Sequence, residues 1–245
     1  MNFDQKIMII QGYLDQGDLE AINNISSFLE DENPHVIYIA IDALGRLPVS
    51  ETIEFLLISL TVRPSEEVRY AALEALWGYT GDKVFDAAVA RLNDNSELVR
   101  ISAIEVLSEM RDTKAKKHLI EALSDTDDIV RREAAEGLGK LGDSSLIPIL
   151  QEFLQKEVSS AAKVGFYFGL YLLGARFQLK SLLNLLEDPC YQVRIAVANS
   201  LGDLFDEENE KQIKKSLNTA LTKETTLAAR SALKSVIEEL CSNED

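Results

Sequence analysis

The chain is 245 residues long and carries 41 acidic against 25 basic side chains, a formal net charge of −16. Because 46% of its residues are hydrophobic, burial can offset the entropy of ordering the chain, which excludes a disordered protein. The acidic excess argues against nucleic acid and against an anionic membrane as partners, since both attract clustered lysine and arginine.

The first segment, from Phe3 to about residue 15, predicts an N-terminal capping helix. It has no basic stretch followed by a long apolar run, so we expect no signal peptide. The apolar run from Gly165 to Gly174 is too short to span a bilayer. Cys190 and Cys241 form no pattern typical of disulfide frameworks or zinc sites, and we expect both to be buried thiols. These observations predict a cytoplasmic protein.

A single phrase recurs along the rest of the chain. In one copy, Leu123 and Asp125 precede the pair Val130-Arg131, which small residues and Leu138 follow. The intervals between successive valine-type positions are 32, 31, 31, 32, 31 and 36 residues. Intervals this regular predict an internal repeat of a supersecondary unit. The valine-type positions are Val36, Val68, Val99, Val130, Ala162, Val193 and Ala229.

Each repeat is predicted to be a pair of helices joined by a short turn. The small and apolar residues after each valine-type position fall on one helical face, and a second amphipathic helix precedes them. No unit can bury that face alone, so the units must stack. The predicted fold is all-α, an α-solenoid of about seven stacked antiparallel helix pairs in one domain over residues 1–245. The predicted repeats cover about 18–46, 51–79, 82–109, 112–140, 144–174, 176–205 and 207–241.

An aspartate recurs six residues before the arginine of the phrase. Every copy in a stacked array makes the same contacts, so we interpret these pairs as a structural ladder rather than a ligand site. The aspartate is expected to begin the second helix or to pair with the arginine across the turn. The ladder pairs are Asp94 with Arg100, Asp125 with Arg131, and Asp188 with Arg194.

Gly165 and Gly169 predict close packing between helices.

The phrase L-x-D-x(4)-V-R-x-x-A-x(3)-L-G resembles HEAT repeats, specifically the short bacterial type named after phycobilisome lyases. The resemblance covers about residues 18–241 and implies an armadillo-like solenoid whose second helices line a concave, partner-binding surface. It is specific for architecture and does not by itself indicate an activity.

Enzymes that resemble this chain in fold make demands that can be tested on residues. Deoxyhypusine hydroxylases bind iron through His-Glu dipeptides, whereas Val36 and Leu119 follow the two histidines, His35 and His118. HEAT-like alkylpurine DNA glycosylases need a basic groove, which a net charge of −16 contradicts. Phycobilin lyases of the two-subunit kind share the repeat and have no short catalytic motif, so that activity stays open. We expect no metal, no cofactor and no catalytic residue.

Aromatic and acidic residues share the helix positions opposite the predicted core. Interfaces favour tyrosine and tryptophan as anchors, so we predict that this aromatic-acidic stripe binds a protein. The alternative is that neighbouring helices bury the aromatic rings. The predicted stripe residues are Tyr38, Asp42, Tyr70, Glu74, Trp77, Glu105, Arg132, Glu136, Phe168 and Tyr171.

The charge is unevenly distributed along the chain. Residues 1–50 contain eight acidic and two basic residues, whereas residues 151–200 contain four acidic and five basic residues and 7 of the 17 aromatic residues. The favoured function is a non-catalytic scaffold or adaptor for a partner with a basic surface, for example an immunity-type inhibitor of a basic bacterial toxin. The alternatives are a bilin lyase or chromophore chaperone, and a structural assembly subunit.

Overall fold

The computed structural model describes residues 1–16, 19–48 and 50–242, in which helices occur and strands do not. The predicted start of the first repeat, residue 18, lies outside these residues. Three 3-10 segments cover Ser27–Glu30, Ser144–Leu146 and Leu185–Glu187. The α-helices are α1 (Phe3–Gln16), α2 (Leu19–Ser26), α3 (Pro34–Gly45), α4 (Glu51–Leu60), α5 (Glu66–Ala75), α6 (Asp82–Val89), α7 (Glu97–Glu109), α8 (Ala115–Ala122), α9 (Asp128–Lys140), α10 (Ile147–Lys156), α11 (Ser160–Leu172), α12 (Gln178–Asn184), α13 (Tyr191–Asp203), α14 (Glu210–Lys223) and α15 (Leu227–Ser242).

The helices form two compact units, Met1–His118 and Leu119–Asp245, which we call the N-terminal and C-terminal units. In the N-terminal unit, the second helices α3, α5 and α7 pack in series, and α1 packs on α3. In the C-terminal unit, α9, α11, α13 and α15 form the corresponding series. The predicted all-α fold of the α-solenoid class is confirmed.

The second helices begin at a constant place in the repeat. Their N-cap residues lie three positions before the valine-type residue, and polar caps satisfy backbone N–H groups of the first turn. Asp127 Oδ1 accepts from the N–H groups of Ile129 and Val130, and Ser65 and Ser159 cap α5 and α11. All seven valine-type positions are buried. A local capping signal and a buried apolar position therefore set the register together.

Helices α9 and α11 approach each other through their backbones. A Cβ atom on Gly165 would lie 2.2 Å from the carbonyl oxygen of Arg132, and one on Gly169 would lie 2.3 Å from the carbonyl oxygen of Ala135. No side chain fits at such distances, so these glycines act in helix packing, as their spacing predicted.

The ladder arginines bind backbone carbonyls in their own repeat. The Nη1 of Arg100 donates to the carbonyl of Asp94 at 2.9 Å, and Arg131 and Arg194 donate to Asp125 and Asp188 in the same way. The bond across the turn therefore goes to the carbonyl oxygen of the aspartate, whereas the predicted pairing implied its carboxylate.

The carboxylate partner of a ladder arginine comes from the following repeat. Arg131 binds Glu157 at 2.7 Å, and Arg194 binds Glu224 at 2.7 Å. Arg69, which follows Val68 at the same position of the second repeat, binds Asp94 at 2.6 Å. These ion pairs join consecutive repeats. Glu157 and Glu224 belong to divergent copies of the phrase, so the sequence pattern did not identify them.

Each of these acids also accepts the backbone N–H two residues further on, in the turn before the second helix. The donors are Ser96 for Asp94, Ser159 for Glu157 and Thr226 for Glu224. Each carboxylate thus binds the arginine of the preceding repeat and accepts a hydrogen bond within its own turn. Both bonds are stronger to a charged carboxylate than to a neutral side chain.

The Glu224 pair predicts a pH-dependent contribution to stability. The hydrogen bond from Arg194 lowers the pKa of Glu224 from its usual 4.5 to about 2, and its side chain is 2% exposed. We expect Glu224→Gln to lower the free energy of unfolding at pH 7 by about 2 kcal/mol, because a charge-assisted bond is lost. A depressed carboxyl pKa stabilises the fold above pH 4.5, and this stabilisation fades as the pH falls towards 2.

Urea unfolding followed by circular dichroism at several pH values measures this difference. The control is Glu152→Gln, which removes an exposed pair with Lys156 and should change stability little. An unfolding difference for Glu224→Gln that is the same at pH 7 and at pH 2 would contradict the linkage.

The contact between α9 and α11 predicts that Gly169→Ala is destabilising. The added Cβ meets backbone that cannot move aside locally, so we expect a loss of about 2 kcal/mol in the free energy of unfolding. The matched control is Gly12→Ala in α1, where a Cβ meets nothing within 4 Å and should stabilise the helix slightly. Equal urea midpoints for Gly169→Ala and the wild type would show that the helices do not touch there.

Candidate partner-binding surface

Four of the predicted stripe residues enclose one hollow of about 210 Å³ on the N-terminal unit. Tyr38 and Asp42 come from α3, Glu74 comes from α5, and Trp77 follows the end of α5. The other lining residues are Gly45, Arg46, Ala71 and Ala75.

The hollow exists because small residues meet where α3 and α5 cross. A Cβ on Gly45 would lie 2.9 Å from the Cβ of Ala75, so the two helices are nearly in backbone contact. Helix α5 ends at Ala75, and Gly78 adopts a φ of +86°, which favours glycine and turns the chain. Trp77 lies in this turn with 61% of its surface exposed. A large aromatic ring beside a floor of small side chains is the arrangement of an interface anchor.

A row of stacked rings leads to the hollow from the N-terminus. The ring centroids of Tyr38 and His35 are 6.2 Å apart and nearly parallel, and those of His35 and Phe3 are 5.6 Å apart. Tyr38 and Phe3 are each 39% exposed. The spacing of His35 and Tyr38 in one helix is visible in the sequence, whereas the contact with Phe3 depends on how α1 packs.

The hollow carries both signs of charge. The carboxylates of Asp42 and Glu74 are exposed, and Asp42 Oδ2 lies 3.6 Å from Nη1 of Arg46. Arg46 was not predicted, although it stands four residues after Asp42, the usual spacing of a helical ion pair. Glu74 Oε1 accepts a hydrogen bond from Ser102 Oγ of α7 at 2.8 Å, which orients the carboxylate.

Tyr70 and Glu105 extend the predicted stripe beside the hollow, and both are half-buried. Burial is the main cause that raises the pKa of the Tyr70 phenol. The nearby groups of Glu74, Tyr38 and Glu105 raise it further. Its hydroxyl therefore remains protonated at neutral pH and can donate a hydrogen bond to a carboxylate or carbonyl.

Phe168 and Tyr171 do not lie on a surface, contrary to the prediction. They are 3% and 4% exposed and belong to the core of the C-terminal unit. The Tyr171 hydroxyl accepts a hydrogen bond from Nδ2 of Asn209 at 2.8 Å, and the guanidinium of Arg176 lies 4.4 Å from its ring centroid. The segment between α13 and α14 thus covers Tyr171, and a sequence pattern for α11 alone could not show this.

Arg132 and Glu136 are half-buried on α9, and Glu136 is not a fixed negative charge. Burial first, and then the neighbouring charge of Glu133, raise the pKa of Glu136 to about 8. Its side chain is 16% exposed, and Oε1 lies 3.6 Å from Nε of Arg132, which also binds Glu133. Burial thus disfavours the charged form of Glu136, so it contributes less to an acidic surface than an exposed glutamate does.

Cys190 and Cys241 are exposed, which corrects the expectation of buried thiols. Cys190 lies just before α13 and Cys241 lies near the end of α15, where few neighbours can cover a side chain. In residues 1–16, 19–48 and 50–242, no three histidine, cysteine, aspartate or glutamate side chains are grouped as metal ligands. No helix within these ranges is both long and apolar enough to cross a membrane.

Comparisons with known proteins agree with the repeat architecture. A family model of HEAT repeats matches residues 2–77 and 85–164, and a model of a single HEAT repeat matches residues 179–207. No curated protein matches the chain significantly.

Solved structures share the fold at low sequence identity. One is a complex of CpcE and CpcF of phycocyanin lyase from Nostoc sp. PCC7120, with 18% identity, a TM-score of 0.66, and coverage of 89% of this chain and 94% of that one. Another is YibA of Escherichia coli, with 19% identity, a TM-score of 0.56, and coverage of 98% and 92% respectively. The family models cover more than half of the sequence, so the chain belongs to the HEAT-repeat family.

Proposed function

We propose that the protein is a non-catalytic adaptor that binds a protein partner through the hollow on its N-terminal unit. HEAT repeats commonly mediate protein interactions, and the hollow is a candidate site for such an interaction. The observation that carries the proposal is the exposed indole of Trp77 beside exposed Tyr38, with the carboxylates of Asp42 and Glu74 lining the same hollow.

The chemistry of the hollow favours a basic side chain of the partner. A guanidinium or ammonium group is attracted to the faces of Trp77 and Tyr38 and can pair with Glu74 or compete with Arg46 for Asp42. The net charge of −16 adds long-range attraction for a basic protein and speeds its association. Both effects select the same class of partner.

An immunity-type inhibitor of a basic bacterial toxin is one specific form of this proposal. Its support is the net charge and the acidic side chains of the hollow, which would mask a cationic surface. A structural assembly subunit is the alternative in which the partner is another protein of the same complex. Purifying the partner and determining the stoichiometry of the complex separates these two forms.

A bilin lyase or chromophore chaperone is the second candidate function. Its support is the fold shared with the complex of CpcE and CpcF of phycocyanin lyase. Co-expression of the chain with a phycobiliprotein subunit and a bilin tests it by absorbance. Covalent attachment of pigment that depends on this chain would establish the lyase and overturn the non-catalytic proposal.

Charge reversal in the hollow should weaken partner binding. Trp77 is the single tryptophan of the chain, so its fluorescence reports directly on occupation of the hollow by a partner purified from the native host. We expect Glu74→Lys and Trp77→Ala each to raise the Kd at least tenfold, because they remove a carboxylate or an aromatic anchor. Calorimetry measures the Kd of the variant that lacks tryptophan.

The matched control is Asp86→Lys, which changes the net charge by the same amount at an exposed position of α6 outside the hollow. It should change the Kd only slightly, through the screened long-range field. Equal weakening by Glu74→Lys and Asp86→Lys would show that binding follows net charge alone and that the hollow is not the site. Because Trp77 is exposed, Trp77→Ala should retain the wild-type circular dichroism and nearly the wild-type stability.

A further inference from the structure

A cleft of about 740 Å³ lies in the C-terminal unit between α12 and α14. Leu183 and Leu186 line one side, Ala220 of α14 lines the other, and Lys180 and Lys215 contribute to its walls. The volume lies within the range of about 300–1,000 Å³ that is typical of small-molecule sites. The cleft shares no residue with the hollow of the N-terminal unit.

The cleft coincides with the irregular step in the repeat. The interval from Val193 to Ala229 is 36 residues, five more than the interval before it. Most of the additional residues lie in α14, which is 14 residues long and lines the cleft, whereas α12 and the 3-10 segment after it cover 178–187 in the preceding repeat. Before α14, Asp206 and Asn209 each accept a backbone N–H of the other through a side-chain oxygen. Asn209 also donates to the carbonyl of Leu204 at 2.6 Å. These bonds order the turn that leads into α14, and α14 forms one wall of the cleft.

Among the described residues, four of the seven charged side chains that line the cleft form ion pairs with each other, whereas Lys180 and Lys215 do not. Within the same residues, the carboxylate of Asp188 accepts only the backbone N–H of Cys190. Arg194 binds Glu224, and Lys223 binds Glu187 at 2.7 Å. In the described part of the chain, Lys180 and Lys215 have no ion-pair partner, and both are exposed. Both ammonium groups line the same cleft as the side chains of Leu183 and Ala220.

The face of α14 that lines the cleft adds hydrogen-bonding groups. Gln212, Ser216 and Thr219 recur at helical spacing along this face, next to Lys215. Gln212 and Ser216 provide donors that can complete the coordination of an anionic group once a lysine has attracted it, whereas the Thr219 hydroxyl already donates to the carbonyl of Lys215. On the opposite side of the cleft, the half-buried side chain of Leu183 lies among charged residues that include Lys180 and Glu187.

We propose that this cleft binds a soluble anionic amphiphile, a small molecule with an apolar body and an acidic head group. The body would cover Leu183 and Ala220, which are partly exposed, and the head group would pair with Lys180 and Lys215. This binding site is independent of the partner-binding hollow. A membrane is disfavoured as the occupant, since the net negative charge of the chain opposes its approach to an anionic surface.

Two fluorescent dyes of similar shape test the proposal on the full chain. The probe is 8-anilinonaphthalene-1-sulfonate, and its uncharged counterpart is N-phenyl-1-naphthylamine, which lacks the sulfonate. We expect saturable binding of one sulfonate dye per chain, with a Kd at least tenfold lower than that of the uncharged dye. The double variant Lys180→Ala/Lys215→Ala should weaken the sulfonate dye about tenfold and leave the uncharged dye unchanged.

The matched control is Lys211→Ala/Lys234→Ala, which removes two exposed lysines outside the cleft and lowers the net charge by the same amount. It should bind the sulfonate dye as the wild type does. Equal affinities of the wild type for the two dyes overturn the proposal, as does an unchanged affinity of the Lys180→Ala/Lys215→Ala variant for the sulfonate dye.

Discussion

Each repeat of this chain depends on a neighbour to cover the apolar face of its second helix. The closeness of that contact is set by side-chain size, since Gly165 and Gly169 let α11 touch the backbone of α9. Gly45 and Ala75 bring α3 and α5 together in the same way, and the hollow with Trp77 at its edge lies over this crossing. Small residues at helix crossings therefore both allow the repeats to pack closely and form the floor of the candidate binding surface.

The ion pairs of the arginine ladder also connect repeats to those that follow them. Each ladder ion pair links the arginine of one repeat to an acid of the next, and the same acid orders the turn before its own second helix. The ladder is absent at the first step because both partners are replaced: Ile37 stands at the arginine position and Arg63 at the acid position. No charge is left unpaired by this double change, since Arg63 binds Glu30 instead. Leaving one nearly buried member alone would cost far more than replacing both.

The two candidate surfaces have opposite chemistry. The hollow of the N-terminal unit joins exposed aromatic rings to carboxylates and suits a cationic side chain of a protein. The cleft of the C-terminal unit joins apolar side chains to unpaired lysines and suits a small anion. Only one side of the cleft belongs to the nearly neutral residues 151–200; the side that carries Lys215 belongs to residues 201–245, which contain ten acidic and six basic residues.

The sequence by itself determined the helical repeat, its register and the burial of the valine-type positions, because these depend on local capping and on helical periodicity. Its predicted stripe of ten residues included Tyr38, Asp42, Glu74 and Trp77, but only the structure showed that these four line one hollow. Only the tertiary structure decided that Phe168 and Tyr171 are buried and that burial raises the pKa of Glu136. Those outcomes depend on how closely α11 approaches its neighbours and on where the segment before α14 runs. Distances between helices and the path of an irregular segment arise from packing across the chain, which the pattern within one repeat does not specify.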